Sequence, residues 1–249
     1  MPADMRELAD DLTAETAVLR DLVAGLDESG WSRPTPAAGW TVGDQISHLA
    51  YFDDAAIQAA TDPEGFTSQA LRAFTAGALT ADEIAGRYRS MSGAELLAWF
   101  DASRRRLTTV FSDLDPGQRV PWFGLPMSAA SALTARIMET WAHGQDVADA
   151  LGGHRQPTAR LRHIAHLGVR ALPYSFAANG LEVPPEPVRV ELTGPDGQLW
   201  TWGPAAATNR VTGPALDFCL LVTQRRHRDD TVITAQGAAA AGWLAVAQA

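Results

Sequence analysis

Residues 128 to 153 read SAASALTARIMETWAHGQDVADALGG. Ser128 offers a side-chain acceptor to the free amides that open a helix, and Gly152 and Gly153 are the residue type that closes one. The stretch therefore predicts a single amphipathic helix, and within it Glu139 and His143 stand four apart. Residues at that spacing lie one turn above another on the same face. A carboxylate and an imidazole so placed are half of a metal site, although the same spacing alone also describes an ordinary solvated contact.

Three further segments carry helical periodicity. Residues 5 to 26 place Leu8, Leu12, Leu19, Leu22, Val23 and Leu26 on one stripe between acids and arginines. Thr41 predicts an N-cap, with Asp44 three residues on approximating a capping box, for a helix that ends at Pro63. Residues 80 to 114 read as one helix broken into two, with Ser92 as an internal N-cap. Four main helices joined by loops of mixed length describe a bundle over residues 1–155.

Beyond that point the pattern changes. A helix (TARLRHIAHLGVRALPYSFA) and a proline-rich linker precede VRVEL and LWTWG, which predict a hairpin turning at Asp-Gly in TGPDGQ. A helix from Pro214, the strand-like TVITAQG and a last amphipathic stretch, AAAAGWLAVAQA, complete a small α+β domain over residues 156–249. The expected fold class is α+β, mainly α.

Composition narrows the chemistry. A net charge of −9 and a pI near 5.1 repel a phosphate backbone, so nucleic acid is not the expected partner. All 20 basic residues are arginine, which removes Schiff-base and P-loop lysine chemistry. The single cysteine, Cys219, sits in the apolar run LDFCLLV and predicts a core residue; it can form neither an internal disulfide nor a thiolate zinc cluster. The acidic start MPADMRELADD and the lack of a long apolar run predict a cytoplasmic chain that does not engage a membrane.

Any metal must then be held by His, Asp or Glu. His48 lies among apolar residues in QISHLAYF, where an imidazole is costly unless neutral and partnered. Facing it across a bundle, Glu139 and His143 would complete three N/O ligands, the donor set of catalytic zinc with an open fourth position. Zinc is the first expectation among divalent metals, with nickel, cobalt and iron compatible with the same donors.

The stretches GWTVGDQISHLAYFD (39–53) and WFGLPMSAASALTARIMETWAHGQDVADALG (122–152) resemble the two metal-site motifs of the DinB-like metal-binding superfamily, in its mycothiol-dependent maleylpyruvate isomerase branch. The resemblance implies a DinB-like four-helix bundle with a small appended α/β domain and metal ligands at His48, Glu139 and His143. It further implies a low-molecular-weight thiol such as mycothiol as cosubstrate, attacking an electrophilic small molecule in S-transfer or isomerisation. A chain whose one cysteine is buried suits an imported thiol.

Asp146, three residues after His143, is a candidate to hydrogen-bond a ligand imidazole or the substrate. Trp40, Trp122 and Trp141 flank the motifs; each is either a core anchor or a pocket wall, and Trp141 is the candidate cofactor contact. In TQRRH, Arg225 and Arg226 are candidates for the substrate-facing arginine that the resemblance implies in the C-terminal domain, with His227 beside them as a cofactor contact. Cations at a helix C-terminus explain at least one of these without any site. His163 and His166 lack a companion carboxylate and read as packing or substrate-facing. Two rival readings stay open, a non-catalytic metal-binding sensor or partner-binding protein and a metal-dependent hydrolase; a homodimer is neither required nor excluded.

Overall fold

The computed structural model describes residues 4–75 and 80–249, which divide into two compact units, Met1–Arg155 and Gln156–Ala249. In the first unit, α1 (Met5–Val23) is capped by Asp4, and a short α2 (Glu28–Trp31) leads to α3 (Val42–Thr61). Thr41 and Asp44 close the expected reciprocal capping box at the start of α3. Arg89 also binds Asp44, at 3.0 Å, so this acid is fully occupied by the cap and its ion pair.

Pro63 does more than end α3. It opens α4 (Pro63–Thr75), a helix that the sequence reading did not anticipate, because proline fits the first turn, where its missing N–H is not needed. The Asp62 side chain accepts from the Gly65 amide at 3.0 Å and caps the new turn. The broken third segment is α5 (Ala81–Gly86) and α6 (Gly93–Ser112), with Ser92 and Glu95 forming the capping box between them. A two-residue ribbon, β1 (Arg119–Val120) with β2 (Met127–Ser128), precedes α7 (Ala129–Leu151), which Ser128 caps and Gly152 terminates at φ +68°.

Helices α1, α3, α6 and α7 form the bundle around a core that includes Leu19, Ile46, Leu49, Phe100 and Val147. The entry of α6 is tight. A Cβ on Gly93 would stand 2.2 Å from the buried Trp31 indole, so Gly93→Ala is expected to cost about 1–3 kcal/mol, read as a lower denaturation midpoint.

The second unit holds α8 (Leu161–Arg170) and α9 (Leu172–Ala178), then a sheet of β3 (Val188–Thr193), β4 (Leu199–Trp202), β5 (Asn209–Pro214) and β6 (Thr234–Gln236) in the order β4-β3-β5-β6. The β3–β4 hairpin turns as expected, with Gly197 at φ +80°. Strand β5, absent from the sequence reading, runs parallel to β3 and pairs Val211 with Val190. α10 (Ala215–Val222) and α11 (Ala238–Val246) cover the sheet, with Phe218 packed edge-on against Trp243. Cys219 is buried here and its thiol is pushed well up by burial, which leaves it an inert core residue. Among the described residues no helix is long and apolar enough to cross a membrane.

Candidate metal centre

His48 projects from the first half of α3, and Glu139 and His143 project one turn apart from the middle of α7. The two helices pack together, and the three side chains converge so that one donor atom of each lies within 4.8 Å of the others. Glu139 Oε2 stands 3.2 Å from His143 Nε2 and 3.6 Å from His48 Nε2. Donors held at 2.0–2.2 Å around a tetrahedral zinc stand about 3.4 Å apart, and the two measured separations bracket that value.

A relay of hydrogen bonds sets the direction of the His143 lone pair. The Thr35 hydroxyl donates to the Trp40 carbonyl at 3.1 Å and accepts from Gln45 Nε2 at 2.8 Å. That turns Gln45 Oε1 toward His143 Nδ1, which must be the protonated nitrogen to meet it. Nε2 is then the nitrogen that faces the Glu139 carboxylate at 3.2 Å, where a metal ion held between the two would satisfy both. The same partner that fixes the tautomer also raises the basicity of the ligand. His48 differs at its other nitrogen: its Nδ1 is buried with no hydrogen-bond partner, and Nε2 is the nitrogen that faces Glu139 at 3.6 Å.

Protonation states suit metal binding. Burial, with a smaller repulsion from His143 and Arg136, lowers the pKa of His48 to about 4 despite the pull of Glu139. Its imidazole is neutral at pH 7. Burial opposes the charge on Glu139, but contacts with the His143 and His48 rings and the field of Arg136 outweigh it and hold the carboxyl well below its usual range. The carboxylate is also the open side of the cluster, 32% exposed where the His48 and His143 side chains are 11% and 12%.

Aromatic rings close the buried side. Trp40 stacks on His143 at 6.0 Å and sits 5.3 Å from His48, and Phe52 packs against His48 at 4.6 Å. Below them, Asp53 bridges two guanidinium groups that are as buried as it is, Arg104 at 2.7 Å and Arg136 at 3.0 Å. Arg136 also donates to the Leu49 carbonyl at 3.1 Å, and Arg104 to Thr16 and Thr140. This network ties α3 to α7 one residue after His48 and three before Glu139, and so fixes the register of the ligands.

Of the other sequence candidates, Asp146 is brought near: its Oδ2 is 4.0 Å from His143 Nδ1, and the side chain is buried. Trp122 stands one ring further out, 6.0 Å from Phe52 and stacked on Phe66. Trp141 is not brought to the cluster. Two residues along a helix turn the side chain about 200°, so it points away from Glu139. There it is buried beneath Arg155, whose guanidinium lies 5.7 Å over the ring and pairs with Glu15.

Arg225, Arg226 and His227 belong to the second unit, where they border a cavity of about 480 Å³. The Arg225 and Arg226 side chains donate to the carbonyls of Thr223 and Arg225 in the turn after α10, and His227 caps the short turn at Arg228–Asp230. His166 accepts from the Trp202 indole at 3.3 Å, a packing role. Two functional residues escaped the sequence reading. Gln45 lies three before His48 on the same helix face, a readable signal; Arg136 carried none, because its partners are remote in the chain.

Comparison with known proteins follows the same division. A family model described as the mycothiol maleylpyruvate isomerase N-terminal domain matches residues 12–148, and one described as wyosine base formation matches residues 184–236. Two uncharacterised proteins, from two strains of Mycobacterium tuberculosis, are each 49% identical over 247 residues, 99% of this chain and 96% of theirs. The crystal structure of a mycothiol-dependent maleylpyruvate isomerase superposes with a TM-score of 0.62 over 94% of this chain and 93% of that one, at 17% identity. A histidine-to-alanine mutant of that enzyme gives the same figures. At such identity the superposition speaks for the fold.

Proposed function

Because the chain belongs to the mycothiol maleylpyruvate isomerase N-terminal domain family, we propose that it is a metal-dependent enzyme that uses a low-molecular-weight thiol of the mycothiol type to isomerise, or transfer sulfur to, an electrophilic small molecule. The observation that carries the reading is the convergence of two imidazoles and one carboxylate, with Glu139 Oε2 3.2 Å from His143 Nε2 and 3.6 Å from His48 Nε2.

In this reading His48, Glu139 and His143 hold a divalent ion, zinc first. Such an ion lowers the pKa of a coordinated thiol, so that thiolate is present at neutral pH. Glu139 contributes the only negative charge among the ligands and leaves the site cationic enough to attract a thiolate. Gln45 keeps the proton of His143 on Nδ1, and Trp40 and Phe52 exclude water from the buried side of the rings. Asp146 steadies the His143 imidazole from the α7 side. The attacking sulfur forms a bond to an electrophilic carbon. In isomerisation a double bond becomes single, rotates and re-forms as the same thiolate leaves; in S-transfer another group leaves and the C–S bond stays.

The test separates these outcomes. Zinc-loaded and metal-free protein are each incubated with mycothiol and a panel of cis-configured unsaturated acids and alkylating electrophiles, following thiol loss and alkene geometry together. Zinc-dependent alkene isomerisation without net thiol loss is the expected result for the isomerase, and zinc-dependent thiol loss for the transferase. Equal rates with and without metal across the panel would overturn the catalytic reading.

A further inference from the structure

Trp40 meets the metal centre at two points. Its indole lies near-parallel to the His143 imidazole, 14° between planes and 6.0 Å between centroids, and 5.3 Å from His48, so one ring packs on both candidate histidine ligands. Its carbonyl accepts from the Thr35 hydroxyl at 3.1 Å, the far end of the relay that runs through Gln45 to His143 Nδ1. A shift of Trp40 therefore disturbs the packing of the imidazoles and the relay together.

The segment that carries Trp40 is closed on itself. The Thr35 N–H donates to the Trp40 carbonyl at 2.8 Å, the Trp40 N–H to the Ala37 carbonyl at 3.0 Å, and Pro34 bridges Thr41. These bonds shape the backbone, and none of them sets the direction of the indole. That is set across 42 residues of sequence, where the indole N–H donates to Asp82 Oδ1 at 2.6 Å. The Trp40 side chain is buried, so its N–H needs an acceptor, and a carboxylate is a strong one. Asp82 is not required to start its own helix, because the α5 capping box is made by Thr80 and Glu83. Seven residues on, Arg89 donates to the Gly39 carbonyl at 2.9 Å and pairs with Asp44, a second tether on the residue before Trp40.

We propose that Asp82 is a positioning residue for the metal centre: by fixing the Trp40 indole it holds the packing of His48 and His143 and the end of the Gln45 relay. The proposal rests on the reading of His48, Glu139 and His143 as metal ligands. Zinc release to a chromophoric chelator and the visible absorption of the cobalt-substituted protein are measured for the unaltered chain, Asp82→Ala, Asp82→Asn, Trp40→Phe and the Asp82→Ala, Trp40→Phe double variant, with thermal unfolding beside them. Asp82→Ala is expected to release zinc about tenfold faster, the low end for groups that orient a ligand, and to change the cobalt spectrum. Asp82 is exposed, so the variant keeps its core; a role confined to the helix dipole would lower stability and leave the cobalt spectrum unmoved. Asp82→Asn keeps an oxygen acceptor for the indole and is expected to restore slow release. Trp40→Phe removes the N–H, and in that background Asp82→Ala is expected to add nothing. An unchanged release rate and cobalt spectrum in Asp82→Ala, failure of Asp82→Asn to restore slow release, or an equal effect of Asp82→Ala in both backgrounds overturns the positioning role and leaves the ligands standing. An unaltered chain that binds no zinc overturns the ligand reading and this proposal with it.

Discussion

Asp53→Ala is expected to destabilise the bundle by about 3–5 kcal/mol, the range for removing one partner of a buried ion pair. Asp53 is fully buried, and the Arg104 and Arg136 side chains that it bridges are each 4% exposed. Both guanidinium groups bond this one carboxylate, and at 4% exposure each has little access to water in its place. Burial already lowers the pKa of Arg104, although Asp53 pulls the other way. Denaturant unfolding would read the loss as a lower midpoint at unchanged slope. The contrast is Arg106→Ala, which breaks the exposed pair with Asp54 at 3.4 Å and is expected to cost under about 1 kcal/mol. Equal costs for the two variants would mean that the buried network is not what holds α3 to α7. Since Arg136 also anchors the Leu49 carbonyl, loss of Asp53 should weaken metal retention as well.

His48→Ala is expected to leave a folded protein that no longer retains zinc, with affinity down by at least about 100-fold. The two effects separate for a structural reason. The His48 ring contributes no satisfied hydrogen bond at Nδ1, so its removal takes away a ligand without orphaning a buried partner. Metal analysis of dialysed protein, beside thermal unfolding, reads both. Glu139→Gln should also lose zinc, since it removes the anionic ligand while keeping the side-chain shape. Gln45→Ala should keep the ligands and weaken binding by about 10–100-fold, because His143 then loses the acceptor that fixes its tautomer. Full zinc retention in His48→Ala would overturn the triad; an unchanged affinity in Gln45→Ala would overturn the relay.

Much of the bundle is legible along the chain. Thr41 with Asp44, Ser92 with Glu95, and Ser128 with Gly152 each mark a helix boundary that the structure contains, because a cap is satisfied by backbone groups within three or four residues. α4 and β5 were not legible for opposite reasons. Pro63 reads as a stop but also fits a start, and β5 (NRVTGP) has a weak pattern of its own and is a strand because β3 and β6 pair with it on either side.

At the candidate site, one-helix spacing sufficed to put Glu139 and His143 on a common face, and residue type was enough to single out His48 as an imidazole needing a partner. Which face of α7 turns toward α3 depends on packing across the bundle. That packing brings His48 to Glu139, sends Trp141 the other way beneath Arg155, and makes Asp53 the shared counter-ion of two arginines. Caps and helical spacing are local and can be read from neighbours in the chain; the rotation and register of one helix against another are settled by long-range burial and ion pairing, and the donor set exists only once those are satisfied.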